Sequence, residues 1–332
     1  MKRRALAGLA CGIALFILVI ANHDMKAVAS AFGDAGWTLS GVLLWRVLSI
    51  CTSGAAWYCL FRREARPSYP FLVFGRWISE AINHLLPVVQ VGGDVVRARL
   101  AYLWGRRHAR PISGPAVAAI QVIDITCALT AQVTLVSIGF LQLWQRGSLS
   151  LALSLFGVAL TIVPLLLLLM VQRRAVLRGA TNLLVKLGLQ RFLQSIAAAG
   201  DSLADQFRDL YRRPGRLAAT FAWHIAGGLL RVGETWSALW IFGHPVSLAD
   251  AMLIDVMAGA VRSLAFFIPG ALGAQESGIL LICSVVGVDP SVALALALAK
   301  RARDIILGLP GLASWPLAER ALLPKPAQPA IK

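Results

Sequence analysis

The stretch Asn83–Arg99 reads NHLLPVVQVGGDVVRAR: a proline (Pro87), two adjacent glycines (Gly92, Gly93) and an acid (Asp94) set inside an otherwise apolar region. A second stretch, Phe266–Glu276, reads FFIPGALGAQE and echoes it with Pro269, Gly270, Gly273 and Glu276. Pro87 precedes Asp94 by seven residues, and Pro269 precedes Glu276 by the same seven. Asp124 follows Asp94 by thirty residues, and Asp304 follows Glu276 by twenty-eight. Each half of the chain thus holds a broken apolar segment with an acid, then a long apolar helix with a second acid near its middle. Proline and glycine at membrane depth free backbone groups that lipid cannot hydrogen-bond, so such breaks belong where protein or water covers them. Paired breaks at corresponding places in two halves point to the central site of a transporter built from inverted repeats.

The composition around these breaks is that of a membrane protein. The 332 residues are 58% hydrophobic and 14% charged, with a mean hydropathy of +0.72, against about 25% charged residues in a soluble domain. The net charge of +16 is no nucleic-acid footprint, because most of it lies in short loops where Lys and Arg set topology and meet anionic headgroups. The five cysteines sit in apolar helical stretches without CxxC or Cys/His spacing and read as small core residues. The five histidines are scattered without metal-ligand spacing. No GxSxG, HExxH or P-loop occurs, so no catalytic residue, metal or cofactor is assigned.

Residues 5–66 form two N-terminal spans, Ala5–Ala21 and Trp37–Phe61, with Lys2–Arg4 and Arg62, Arg63 and Arg66 placing both outer ends in the cytoplasm. Arg46 lies inside the second span, with Ser49 and Ser53 on its face; it either faces a cavity or snorkels outward. Residues 69–144 form the first repeat: apolar arms at about 71–86 and 92–104, a re-entrant hairpin entering from the cytoplasm, then the span Ser113–Trp144. Residues 148–216 supply a return helix, Ser148–Val171, and a basic amphipathic linker on the inner surface. The outward span at 217–242 carries His224, Arg231 and Glu234 on one polar stripe, where Arg231 and Glu234 at i, i+3 can pair and lower each other's burial cost.

The second repeat, 247–317, enters from outside as Ser247–Val286 and carries Asp250, Asp255 and Arg262 before its break. The closing span, Pro290–Pro316, holds Lys300, Arg301, Arg303 and Asp304 near its centre, followed by a short tail at 318–332. Lys300 and Asp304 are spaced as an i, i+4 pair, which leaves Arg301 and Arg303 without a local acid. Cations at that depth imply an anionic partner: Glu276, Asp124 or a ligand. The expected fold is an all-α polytopic membrane protein of one membrane domain with two inverted repeats, each a broken hairpin plus a long transmembrane helix.

The hairpin LLPVVQVGGDVVRARL, and FFIPGALGAQESGIL with its ensuing K-R-A-R-D helix, resemble the flippase-like membrane domain of lysylphosphatidylglycerol synthases over about residues 5–320. The nearest likeness is to free-standing members associated with hopanoid gene clusters, the HpnL subgroup. The resemblance implies a bacterial inner-membrane, multi-pass protein with cytoplasmic termini that moves a lipid between leaflets by alternating access. It carries Asp94, Arg97, Glu276, Arg301, Arg303 and Asp304 over to the headgroup path; Asp124, Arg231, Glu234 and Arg262 join them as intramembrane charges. The synthases continue into a soluble aminoacyl-transferring domain, whereas this sequence ends in a Pro-rich tail, so lysyl-phosphatidylglycerol synthesis is not expected. The first break also departs from the family's Pro-Gly-x-x-Gly, reading Pro-Val-Val-Gln-Val-Gly-Gly. The expected partners are membrane lipids, anionic or isoprenoid, and no nucleic acid; a homo-oligomer is compatible with the sequence. A membrane-embedded lipid-modifying transferase and a small-molecule or ion transporter are the competing functions.

Overall fold

A computed structural model describes residues 25–86, 92–110, 112–173, 202–265 and 268–323. The span expected at Ala5–Ala21, the first break's Pro87, most of the linker after Arg173 and the end of the tail lie outside the described residues. All regular structure among those described is helical, as the apolar composition requires of a chain whose backbone must be satisfied within lipid.

Helix α1 (Met25–Ala35) leads through a 3-10 turn into α2 (Ser40–Leu60). Two shorter helices, α3 (Tyr69–Leu85) and α4 (Gly92–Arg107), flank the first break, and α5 (Gly114–Gln145) and α6 (Leu151–Val171) follow. Residues 202–211 are helical, then come α7 (Pro214–Ile241), α8 (Leu248–Leu264), α9 (Ala274–Val286) and α10 (Pro290–Leu322). Polar caps open four of these. The side chains of Ser113, Ser150, Ser247 and Asp289 accept from the amides of Ala116, Leu153, Asp250 and Ser291, satisfying N–H groups that have no intrahelical partner. Gly287, in the left-handed region at φ 83°, ends α9.

Val28–Leu60, Gly114–Gln145 and Leu151–Val171 are long and apolar enough to cross a membrane. Helix α5 alone, 32 residues, extends about 48 Å at 1.5 Å per residue. Helix α6 is almost wholly exposed along its apolar length, as a lipid-facing helix should be. Helices α7 and α10 are also long, but carry charges through their middles. The closing helix runs to Leu322, past the expected end at Pro316, with Pro310 and Pro316 both inside it and exposed.

The packing repeats itself. Helices α2 and α7 make the most extensive contact in the bundle. Helix α3 packs on α4 and on α2; α8 packs on α9 and on α7. Each long helix then crosses to the other unit, α10 against α3 and α5 against α8. Every one of these contacts has its counterpart when α2–α5 are exchanged with α7–α10.

Two close approaches depend on glycine. A Cβ on Gly93 would lie 2.0 Å from the carbonyl oxygen of Ser79, so the arms α3 and α4 meet backbone to backbone. Gly270 has φ 63°, and a Cβ there would lie 2.9 Å from the carbonyl oxygen of His84. The turn Pro269–Ala271 of the second break therefore rests against the end of α3, where the first break begins.

The two ends of the bundle differ in charge. At one end Arg62 pairs with Asp209 at 3.0 Å, Arg99 with Glu319 at 2.6 Å, and Arg216 donates to the Phe61 carbonyl at 3.3 Å. Burial opposes the ionisation of Asp209, but hydrogen bonds from Arg62 and Arg213 prevail and hold its carboxyl below the usual range. At the other end Arg146 pairs with Asp250, and Trp37, Trp144 and Trp240 are exposed.

Candidate functional site

Between the two sets of helices lies a cavity of about 320 Å³. Its lining mixes apolar side chains, Ile125, Ala128, Leu129, Leu135 and Val136 of α5 and Val256 of α8, with charged ones, several of them on the same helices: Asp124 on α5, Asp255 and Arg262 on α8. The charges reach it because each helix spaces its polar residues three or four apart, or twice four, which puts them on one face. Helix α3 does so with Arg76, Glu80, Asn83 and His84, α4 with Asp94 and Arg97, α5 with Asp124 and Gln132.

Asp94 sits at the start of α4, whose first N–H groups have no helical partner. Asn83 accepts from the Gly93 amide at 2.8 Å and donates to Asp94 at 3.4 Å, joining α3 to α4 across the break. Gln121 donates to the same carboxylate at 3.2 Å. Arg97, one turn on and 1% exposed, places a single Nη2 3.0 Å from Asp94 and 2.6 Å from Asp124. Its guanidinium lies over the Trp57 ring, 4.8 Å from the centroid. The other oxygen of Asp124 meets His224 Nε2 of α7 at 3.0 Å. Glu80 is shared by Arg46 at 2.7 Å and Arg76 at 3.2 Å. Arg46 is thus buried and paired inside the bundle, the first of the two positions its sequence allowed.

The second half is wired from helices distant in sequence. Lys300 Nζ of α10 lies 2.6 Å from Asp255 of α8 and donates to Thr235 of α7 at 2.7 Å. Arg303 pairs with Glu234 of α7 and with Asp304 at 2.7 Å, and His84 Nδ1 of α3 lies 2.8 Å from Asp304. Arg301 holds Glu276 of α9 at 2.5 Å and donates to the Gly270 carbonyl at 3.2 Å, satisfying a backbone group that the break had freed.

Two pairings read from spacing are therefore corrected, and the partners of two arginines are identified. Lys300 turns to Asp255 instead of Asp304, whose oxygens face Arg303 and His84. Arg231 faces the cavity, with Nε 3.7 Å from Asp255, while Glu234 turns to Arg303 of α10; the 60° between them on the helix separates two environments. Arg301 and Arg303 both have acids, Glu276 among the partners named for them and Glu234 not.

Of the residues selected from sequence, Asp94, Arg97, Asp124, Arg231 and Arg262 line the cavity. Glu234, Glu276, Arg301, Arg303 and Asp304 lie behind it in ion pairs. Among the breaks, Gly92 and Gly93 open α4, Pro269 and Gly270 form the second turn, and Gly273 precedes α9 with φ 77°. The headgroup path drawn from sequence did not include Arg46, Arg76, Glu80, His84, His224 and Asp255, which also line the cavity, although Arg46, His224 and Asp255 stood out as charged or polar residues within their spans. Arg76 and Glu80 carried a usable signal, an i, i+4 ion pair inside an apolar arm. Among the described residues no group of His, Cys, Asp and Glu is arranged to hold a metal ion.

No curated protein and no solved structure matches the chain. The sequence model of one family, described as lysylphosphatidylglycerol synthase TM region, matches residues 5–311. An all-helical bundle around a cavity lined by charged and apolar side chains agrees with that match, and the chain belongs to the lysylphosphatidylglycerol synthase transmembrane-region family.

Proposed function

We propose that the protein translocates a lipid, an anionic phospholipid or an isoprenoid or hopanoid-type lipid, between the leaflets of a bacterial inner membrane by alternating access. The observation that carries this reading is the approach of the second break to the end of α3, Gly270 against the His84 carbonyl, beside a cavity lined by both charged and apolar side chains. A headgroup needs polar partners in mid-bilayer while its chains stay in hydrocarbon, and such a cavity offers both. The exchange of contacts between α2–α5 and α7–α10 supports two inverted repeats whose hairpins enter from opposite faces. Each long helix also carries an acid bound by a histidine of the other half, Asp124 by His224 and Asp304 by His84. These cross-half contacts are ones that rocking of the halves would break and remake.

The termini are assigned to the cytoplasm, because the end bearing Arg62, Arg106, Arg107, Arg212 and Arg213 is far richer in cations than the end bearing Arg146. Ser263 lines the cavity and offers a direct test. In a chain whose five native cysteines are replaced by serine, Ser263→Cys is expected to react with a membrane-impermeant maleimide added from either face. Labelling from one face only, whatever the lipid composition, would contradict alternating access.

A further inference from the structure

Five arginines and four carboxylates line the cavity. Glu80 is divided between Arg46 and Arg76, Asp94 and Asp124 both grip Arg97, and Asp255 is held closely by Lys300 with Arg231 farther off at 3.7 Å. Lys300, which holds Asp255, and Arg301 and Arg303, which hold Glu276, Glu234 and Asp304, complete the network; its eight cations face seven carboxylates, an excess of one positive charge. On the cavity face that excess shows at Arg262. Among the described residues no carboxylate lies within ion-pair distance of Arg262; its Nη1 donates to the amide oxygen of Gln275 at 2.9 Å. An uncompensated guanidinium away from bulk water is costly, and an anion that reaches it removes that cost.

We infer that the cavity selects its lipid by charge, taking a headgroup of one net negative charge carried on a phosphodiester and turning away headgroups of net positive charge. The inference rests on the translocation reading and narrows its lipid. A monoanion neutralises the face. A zwitterion or a neutral hopanoid leaves the excess in place, and a lysylated headgroup, whose two amines outweigh its phosphate, doubles it. Arginine is suited to the task because its planar fork matches two phosphate oxygens at once. Ile125, Leu129 and Val256, which also line the cavity, can receive the first chain carbons.

The test is competitive lipid retention. The full chain, purified in neutral detergent, is given phosphatidylglycerol, phosphatidylcholine and lysyl-phosphatidylglycerol at equal mole fractions, and the retained lipid is read by native mass spectrometry. Phosphatidylglycerol is expected to be retained about tenfold over each of the others, the scale of one added charge contact in a partly shielded site. R262Q should erase that preference, R262K should keep most of it, and R231Q, which alters the same face at a second position, should weaken it. Equal retention of the three lipids, or R262Q with wild-type preference, would overturn the inference. Inorganic phosphate that stabilises the protein where no lipid is retained would overturn it too, since the anion would then be a soluble one. Retention is measured without transport, so a phosphatidylglycerol preference in a protein that moves no lipid would leave charge selection standing and remove translocation.

Discussion

Arg97→Gln is expected to lose roughly 3–5 kcal/mol of stability, the usual cost of removing one partner from a buried ion pair. Arg97 is 1% exposed, and its Nη2 alone serves both Asp94 and Asp124. Glutamine at this position would leave two carboxylates facing each other in the bundle and uncover the Trp57 ring. Thermal unfolding of detergent-purified protein, followed by tryptophan fluorescence, should show a large fall in Tm or no monodisperse protein at all. R97Q combined with D124N should recover part of the loss, because one stranded charge has gone with its partner. An R97Q protein within about 1 kcal/mol of the parent would mean that this triad contributes little to holding α4 against α5.

Gly93→Ala carries the second large effect. The added methyl would lie 2.0 Å from the Ser79 carbonyl oxygen and 2.7 Å from its carbon, both backbone atoms that no rotamer change can move. The arms of the first hairpin must separate, at about 3 kcal/mol or more for overpacking of this kind. Separation also pulls Asn83 from the Gly93 amide and from Asp94, so the break should lose its fixed geometry. Gly41→Ala is the control: nothing lies within 4 Å of that position, and alanine in a helix should be neutral or stabilising by up to about 1 kcal/mol. Equal melting temperatures for G93A and G41A would show that the arms do not meet as described.

Much of this architecture was legible in the chain because membrane physics leaves few alternatives. Apolar runs give helices, and the residues that interrupt them mark breaks: the arms expected at 71–86 and 92–104 are observed as Tyr69–Leu85 and Gly92–Arg107. The acids Asp94 and Asp124 could be singled out because a charge at that depth needs a partner. The partners themselves were not legible. Glu234 lies 69 positions from Arg303, and Lys300 lies 45 from Asp255. Local spacing offered Asp304 to Lys300 and Glu234 to Arg231, and it could not indicate that α10 turns those side chains toward α7, α8 and α3. The same holds for the contact between the second break and the end of α3. Pro269 and Gly270 announce a turn, but only packing brings that turn to His84.

Leaflet exchange tests translocation most directly. The protein is reconstituted into vesicles that carry a trace of phosphatidylglycerol with a fluorescent headgroup label, and a membrane-impermeant reductant is added outside. In protein-free vesicles the inner-leaflet label survives. With the parent chain this protected fraction is expected to be lost over time, with or without an imposed proton gradient, and R262Q is expected to slow the loss. A folded, correctly inserted protein whose vesicles protect the inner leaflet as fully as protein-free ones, under both conditions, would contradict translocation.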